Sequence, residues 1–346
     1  MSLKLAVQGH TVKMLLGLPS FTQRALARVS SEVDGRRLSS KACVLLTINN
    51  LKGEPDYGLL TPAESRRQSK ELNEMLGLRG PEVRQIWDRM IPSARGEIAS
   101  RLYVPRGAAE KGPLLIYFHG GGFVDGDLDS HDAQCRFMAD RSKSRVLAVD
   151  YSLAPEHRFP AAVEDAMAAL EWAHAEAAKM GVETAHIGVG GDSSGANLAA
   201  VVSQLARLGE VPLPAFQLLI YPVLDLTEKR RSFELFGLEH GLTEAKYDWF
   251  MQQYLESDDE KSDVRVSPLL AEDLRGLPPA CILTAGFDIL VDEADLYARR
   301  LETSGVSVSY HCAENLFHGF TRFFELLPEA RQALGWAGDW VGKVCR

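Results

Sequence analysis

Two glycine-rich runs, each at the end of an apolar stretch, constrain this chain more than any other feature. His119-Gly120-Gly121-Gly122-Phe123 closes the stretch Leu114–Phe118, and Gly191-Asp192-Ser193-Ser194-Gly195 closes Ile187–Gly190. The second run opens onto a helix-like stretch, Ala196–Leu208. A G-x-S-x-G pentapeptide needs that strand–turn–helix setting, because the sharp turn pushes the serine Oγ above the sheet. The flanking glycines are required where a Cβ would clash with a neighbouring strand or helix. An HGGG run lets backbone N–H groups approach a developing oxyanion. The rival for such a turn is a dinucleotide-binding loop. Gly188-Val189-Gly190 begins a G-x-G-x-x-G match, but its last position is Ser193, so the fingerprint fails.

The pattern around these runs is strand and helix in alternation. Strand-like stretches are Leu114–Phe118, Val146–Asp150, His186–Gly190, Phe216–Tyr221, Ala280–Ala285 and Val306–His311. A helix starts at Pro160 and stops before Gly181. This alternation predicts an α/β fold with a mostly parallel central sheet covered by helices on both faces. Ahead of it, Val83–Ile91 and Glu97–Val104 flank Ser93-Ala94-Arg95-Gly96 and read as a hairpin.

Two segments stand apart. Residues 1–80 read as helices and loops: Val12–Val29 has helical spacing, Lys41–Leu51 is a second candidate, and Thr61-Pro62-Ala63-Glu64 carries the signature of a capped helix start. Between Tyr221 and Ala280 the alternation breaks. That stretch begins with Glu228-Lys229-Arg230-Arg231 and contains an amphipathic helix, Thr243–Glu256. Tyr247, Phe250, Met251, Tyr254 and Leu255 share one face of it. The expected organisation is an N-terminal cap segment at 1–80 and a catalytic domain at 81–346. A second cap segment is inserted at 226–266, and the two cap segments form a lid.

With 346 residues, 46% hydrophobic and 25% charged, the chain is ample for a large core. A net charge of −9 argues against a nucleic-acid partner, which usually meets a basic face. No run approaches the ~18 apolar residues of a membrane span. Gln8, His10 and Lys13 interrupt the only apolar stretch near the N-terminus, so no signal peptide is expected. Five cysteines without a C-x-x-C spacing read as free thiols, which predicts a cytoplasmic protein. No motif has metal-ligand spacing, and no metal or cofactor is expected.

Acyl transfer by a serine needs a nucleophile, a base, an orienting acid and an oxyanion site. Ser193 occupies the glycine frame, whereas its neighbour Ser194, flanked by Asp192 and Ala196, does not. In this setting the acid and then the histidine follow the serine in chain order. His318, in Phe317-His318-Gly319-Phe320, lies just past a strand-like run; His311 lies within one and reads as structural. Asp288 sits at the carboxyl end of Ala280–Ala285, beyond Gly286-Phe287, and Asp292 reads as a solvated or capping residue. The backbone N–H groups of Gly121, Gly122 and Ser194 are the oxyanion candidates. Phe123, Trp249, Phe250 and Tyr254 are candidates to line the acyl pocket. The charged loop Asp150–Pro160 reads as a rigid element held by an internal Glu156–Arg158 or Asp150 network.

These residues resemble the bacterial hormone-sensitive-lipase-like (family IV) carboxylesterases of the α/β-hydrolase superfamily. The resemblance runs from Pro81 to the C-terminus. It rests on His119–Phe123, Leu153–Pro160, Gly191–Gly195 with Asn197, Asp288 through Asp292-Glu293, and His318-Gly319-Phe320. It implies the same Ser193–Asp288–His318 set, the same three donors, and a helical cap built from the N-terminus plus an insertion. Ser194 stands where alanine is usual, Ala196 where glycine is common, and Ser152 where arginine is frequent. The expected function is hydrolysis of short to medium acyl esters, a small-molecule substrate class, through an acyl-enzyme. Two alternatives are a non-catalytic receptor on a hydrolase scaffold and an amide hydrolase using the same groups. The edge-like run Val306–His311 allows a homodimer.

Overall fold

The computed structural model describes residues 3–51 and 53–345. Its first part is helical. Helices α1 (Leu3–Leu16) and α2 (Ser20–Leu26) replace the single helical stretch expected at Val12–Val29. The break is at Gly17-Leu18-Pro19: Pro19 has no N–H to continue α1 and its fixed φ starts α2 instead. A two-residue ribbon of β1 (Glu32–Val33) and β2 (Arg36–Arg37) follows, then α3 (Ser40–Asn50) and α4 (Pro62–Leu76). Helix α4 starts where expected. The Thr61 side chain accepts the Glu64 N–H while the Glu64 carboxylate accepts the Thr61 N–H, and Gly77 ends the helix in a left-handed conformation.

The hairpin of β3 (Gln85–Ser93) and β4 (Gly96–Val104) leads into the sheet. It continues with β5 (Gly112–Phe118), α5 (Asp132–Ser142), β6 (Arg145–Val149), α6 (Ala161–Ala175), β7 (Val182–Asp192), α7 (Ser194–Arg207) and β8 (Gln217–Ile220). After the insertion, with α8 (Arg231–Phe236) and α9 (Glu244–Tyr254), come β9 (Ala280–Phe287), α10 (Val291–Thr303), β10 (Val308–Phe317) and α11 (Pro328–Val344).

The eight strands are ordered β10-β9-β8-β7-β5-β6-β4-β3. Strands β5 to β10 run parallel, and β4 and β3 pair antiparallel at one edge. Strands β6, β8 and β9 are buried along their whole length, as a sheet covered on both faces requires. Strand β5 pairs with β6 on one side and β7 on the other. The chain order therefore reverses at β5, and in open α/β sheets the crevice outside the carboxyl ends of the strands at such a point is where ligands bind. The HGGG run begins at that spot.

All five residues of the predicted apolar stripe on α9 are buried, and so is Trp249 beside it. Thr243 caps this helix by accepting the Lys246 N–H. Among the described residues no helix is long and apolar enough to cross a membrane, and the five cysteines are free.

Candidate functional site

Strand β7 ends at Asp192, and helix α7 begins at Ser194, so Ser193 alone makes the turn. Its backbone, at φ 55 and ψ −118, is a conformation L-residues seldom adopt and one that costs energy to hold. The Ser193 N–H donates to Ile220 O at 2.9 Å, which pins the turn to β8. The glycine frame is steric. A Cβ on Gly191 would lie 2.3 Å from Phe118 O, and one on Gly195 would lie 2.0 Å from the same oxygen. Both glycines let the elbow press against the end of β5.

Asp288 and His318 arrive from the ends of β9 and β10. His318 Nδ1 lies 2.7 Å from Asp288 Oδ2, and His318 Nε2 lies 3.0 Å from Ser193 Oγ. The second Asp288 oxygen accepts the Leu290 N–H at 3.0 Å, which fixes the carboxylate's rotation. Asp288 is buried, while the imidazole retains slight exposure. Gly319, at φ 78, turns the chain directly after the histidine, and the Tyr221 ring sits 4.7 Å from the imidazole. The structure thus brings the three residues into one hydrogen-bonded line. A proton on Nδ1 is held by Asp288, leaving Nε2 to accept from the serine hydroxyl.

The HGGG loop wraps beside this line. Gly121, at φ 134, would place a Cβ 2.0 Å from Asp125 O, and Gly122, at φ 62, would place one 2.3 Å from the Phe250 ring. The turn closes with the N–H groups of Val124 and Asp125 donating to Gly121 O. Ser194 is fully buried in the first turn of α7. Among the four aromatic candidates, Phe250 is the one that lies against Gly122. Phe123 stacks on Tyr254 at 3.8 Å, and Trp249 packs 5.3 Å from Phe250.

A second layer of polar residues, not singled out from the sequence, underlies the loop. The Asp192 carboxylate accepts the Tyr117 hydroxyl at 2.8 Å and the Gly120 N–H at 3.1 Å, with His131 Nε2 at 3.3 Å. Burial pushes the Asp192 carboxyl up, but His131, Tyr117 and His119 outweigh it and hold the group at about 2. Burial also depresses His119 to about 4, and its ring stacks on Tyr151 at 4.4 Å. Asp192 stands next to the serine in sequence, which was its only local signal.

One expectation needs correction. Glu156 does not pair with Arg158. It forms a bidentate pair with Arg66 of α4, at 2.7 and 2.9 Å, and Arg66 also donates to Val124 O and Ala154 O. Arg158 donates instead to Leu255 O. The loop is held from outside, between Arg66 of α4 and Leu255 at the end of α9. Asp292 takes the capping role of its two expected ones: it accepts the Ser232 N–H at 2.8 Å at the start of α8. His311 lies on β10 with its ring 5.1 Å from Trp336, away from the serine–histidine line. Asn197 ties α7 to the insertion's ends through Val223 O and Val266 O. Among the described residues no group of three or more His, Cys, Asp or Glu side chains is placed to hold a metal ion.

Comparison with known proteins agrees with this arrangement. A family described by its α/β-hydrolase fold matches residues 115–322. The chain is 42% identical to the carboxylic ester hydrolase LipN of Mycobacterium tuberculosis, over 91% of this chain and 85% of that one. It is 37% identical to an ethyl acetate hydrolase of Pseudomonas putida, over 78% of this chain and 86% of the relative. The solved structure of EstE1, a thermostable carboxylesterase cloned from a metagenomic library, superposes with a TM-score of 0.80 at 41% identity, covering 83% of this chain and 98% of that one. With a serine, an acid and a histidine aligned at the strand ends and esterases among its relatives, the chain belongs to the hormone-sensitive-lipase-like group of the α/β-hydrolase family and is a carboxylic ester hydrolase.

Proposed function

We propose that Ser193 is the nucleophile, His318 the general base and Asp288 the residue that orients the imidazole. Ester hydrolysis then runs in two steps. His318 Nε2 takes the hydroxyl proton as Ser193 Oγ attacks the carbonyl carbon, and then gives that proton to the leaving alkoxide. Water, activated by the same nitrogen, releases the acid from the acyl-enzyme. The backbone N–H groups of Gly121, Gly122 and Ser194 receive the negative charge of each tetrahedral intermediate, and the position of Ser194 at the start of α7 adds the helix dipole to that task. The observation that carries this reading is the unbroken line Asp288–His318–Ser193 at 2.7 and 3.0 Å.

The preferred substrates are esters of short to medium acyl chains, because Phe250 packs directly over Gly122 and limits the space above the oxyanion loop. Residues 1–80 and 226–266 act as two cap segments over a catalytic domain at 81–346. Phe250 of α9 reaches Gly122 of the HGGG run and Arg66 of α4 reaches Val124 just after it, which supports this division. The protein works in the cytoplasm, apart from membranes and nucleic acid. A homodimer would form through β10, one of the two edge strands of the sheet. The test is a 4-nitrophenyl ester series from acetate to palmitate on wild type and Ser193→Ala, with a matched anilide. The reading expects decline beyond medium chains, a weak anilide and a loss of about 10³-fold or more in the variant. Retained turnover in Ser193→Ala overturns it.

A further inference from the structure

The wall of the site beyond Gly122 carries charge. Lys246 lies one helical turn before Phe250 on α9, and its ammonium sits 5.5 Å from the centre of the Phe250 ring, the ring that covers Gly122. The side chain is half-buried. Among the described residues its ammonium makes no ion pair and no hydrogen bond. Burial pushes it below the ordinary lysine range; Asp125 and Glu54 oppose that shift and Arg322 adds to it.

The groups that bracket it come from the candidate machinery. Asp125 belongs to the turn that closes on Gly121 O, and one of its oxygens is taken by the Ser65 hydroxyl at 2.7 Å. Its other oxygen is buried without a partner. Arg322 follows His318 in the same loop, is anchored to Asn73 Oδ1 at 2.6 Å, and leaves its Nε buried without an acceptor. Lys246, Asp125 and Arg322 thus converge from the insertion, the HGGG loop and the histidine loop. The Phe250 ring and the nearby carboxylates offset part of the hydration this cation loses, but no acceptor among the described residues takes a hydrogen bond from it, a place that a ligand oxygen can fill.

We propose that Lys246 recognises a carboxylate on the substrate, so that the preferred esters carry a negative charge in addition to the scissile bond. This rests on the reading of Ser193, His318 and the HGGG loop as the ester site. The ammonium donates to the substrate carboxylate, and Arg322 adds a second positive charge to the same wall. The reacting ester is hydrolysed by the chemistry given above, with no added step.

Two matched substrate pairs test the assignment. The first is the mono-4-nitrophenyl ester of adipic acid against 4-nitrophenyl hexanoate, with the charge on the acyl side. The second is 4-acetoxybenzoate against phenyl acetate, with the charge on the leaving side. For at least one pair, the charged-to-neutral ratio of kcat/KM falls about 10-fold or more in Lys246→Met, the size expected for losing a hydrogen bond between charged groups. Lys246→Arg keeps that ratio within about 3-fold of wild type, and Lys246→Glu lowers it further than Lys246→Met. Ratios unchanged in Lys246→Met for both pairs overturn the proposal, as does an equal loss on charged and neutral esters. Wild type that turns over none of the four esters overturns the reading of the site itself.

Discussion

The Asp192 carboxylate accepts the Gly120 N–H at 3.1 Å, so the residue before Ser193 holds the first glycine of the HGGG run. The Ser193 turn and the HGGG loop are set by one side chain rather than independently. Asp192→Asn keeps the shape but removes the charge that Gly120, Tyr117 and His131 face. It is expected to lower kcat by roughly 10- to 100-fold, a fraction of the loss from removing an oxyanion donor outright. The same carboxyl, held at about 2 in the fold, adds stability above the ordinary aspartate pKa of about 3.9. That contribution fades as the pH falls from about 4 towards 2. Urea titrations of wild type and Asp192→Asn across that window should show the pH slope shrinking in the variant.

Gly121 tests the loop itself. An alanine there would bring a Cβ to 2.0 Å from Asp125 O at a φ that L-residues avoid. Gly121→Ala should lower kcat by about 10²-fold or more, as loss of an oxyanion donor does. Gly107, also at positive φ but with open space around its Cβ position, supplies the control. Gly107→Ala should cost stability without moving kcat/KM.

Asp288→Asn should separate orientation from chemistry. The amide can keep the 2.7 Å contact to His318 Nδ1 only by favouring the wrong tautomer. The expected fall in kcat is about 10³- to 10⁴-fold with little change in thermal midpoint. Steady-state kinetics and a melting curve on the same preparation check both halves.

Glu293 is a buried carboxyl outside the Ser193–His318–Asp288 line, and its Oε1 accepts the Leu224 N–H at 2.6 Å. Burial pushes it well above the ordinary glutamate range, and Asp225 and Asp288 add to the shift. The folded state therefore keeps a proton that the unfolded chain releases above about pH 4.3, so this group costs stability as the pH rises. Glu293→Gln retains the acceptor and removes that cost. Melting temperatures measured from pH 5 to pH 8 should fall less steeply in the variant than in wild type.

Much of this was legible before the structure, for a physical reason. The elbow serine, the glycines beside it and the HGGG run are local motifs, and the strand that precedes each is a buried apolar run. Asp288 and His318 follow from chain order, since each leaves the carboxyl end of a strand. The break between α1 and α2 was also written in Pro19, but the helical spacing on either side masked it. What stayed hidden is long-range. Glu156 finds Arg66 rather than its neighbour Arg158, and Asp192 finds Tyr117 and Gly120 across the sheet. Lys246 falls off the apolar stripe of its helix and would pass for a solvent-facing charge. Periodicity tells which face of a helix is apolar, and says nothing of what the fold lays beside the edge of that face, where Lys246 sits one turn before Phe250.

The most direct measurement is covalent. An aryl phosphonate ester mimics the tetrahedral intermediate, and the serine that attacks it keeps the phosphonyl group. One equivalent of 4-nitrophenol released per chain, with peptide mapping that places the adduct on Ser193, is the predicted result. An adduct on Ser194 or elsewhere, or labelling that persists unchanged in Ser193→Ala, would contradict the account.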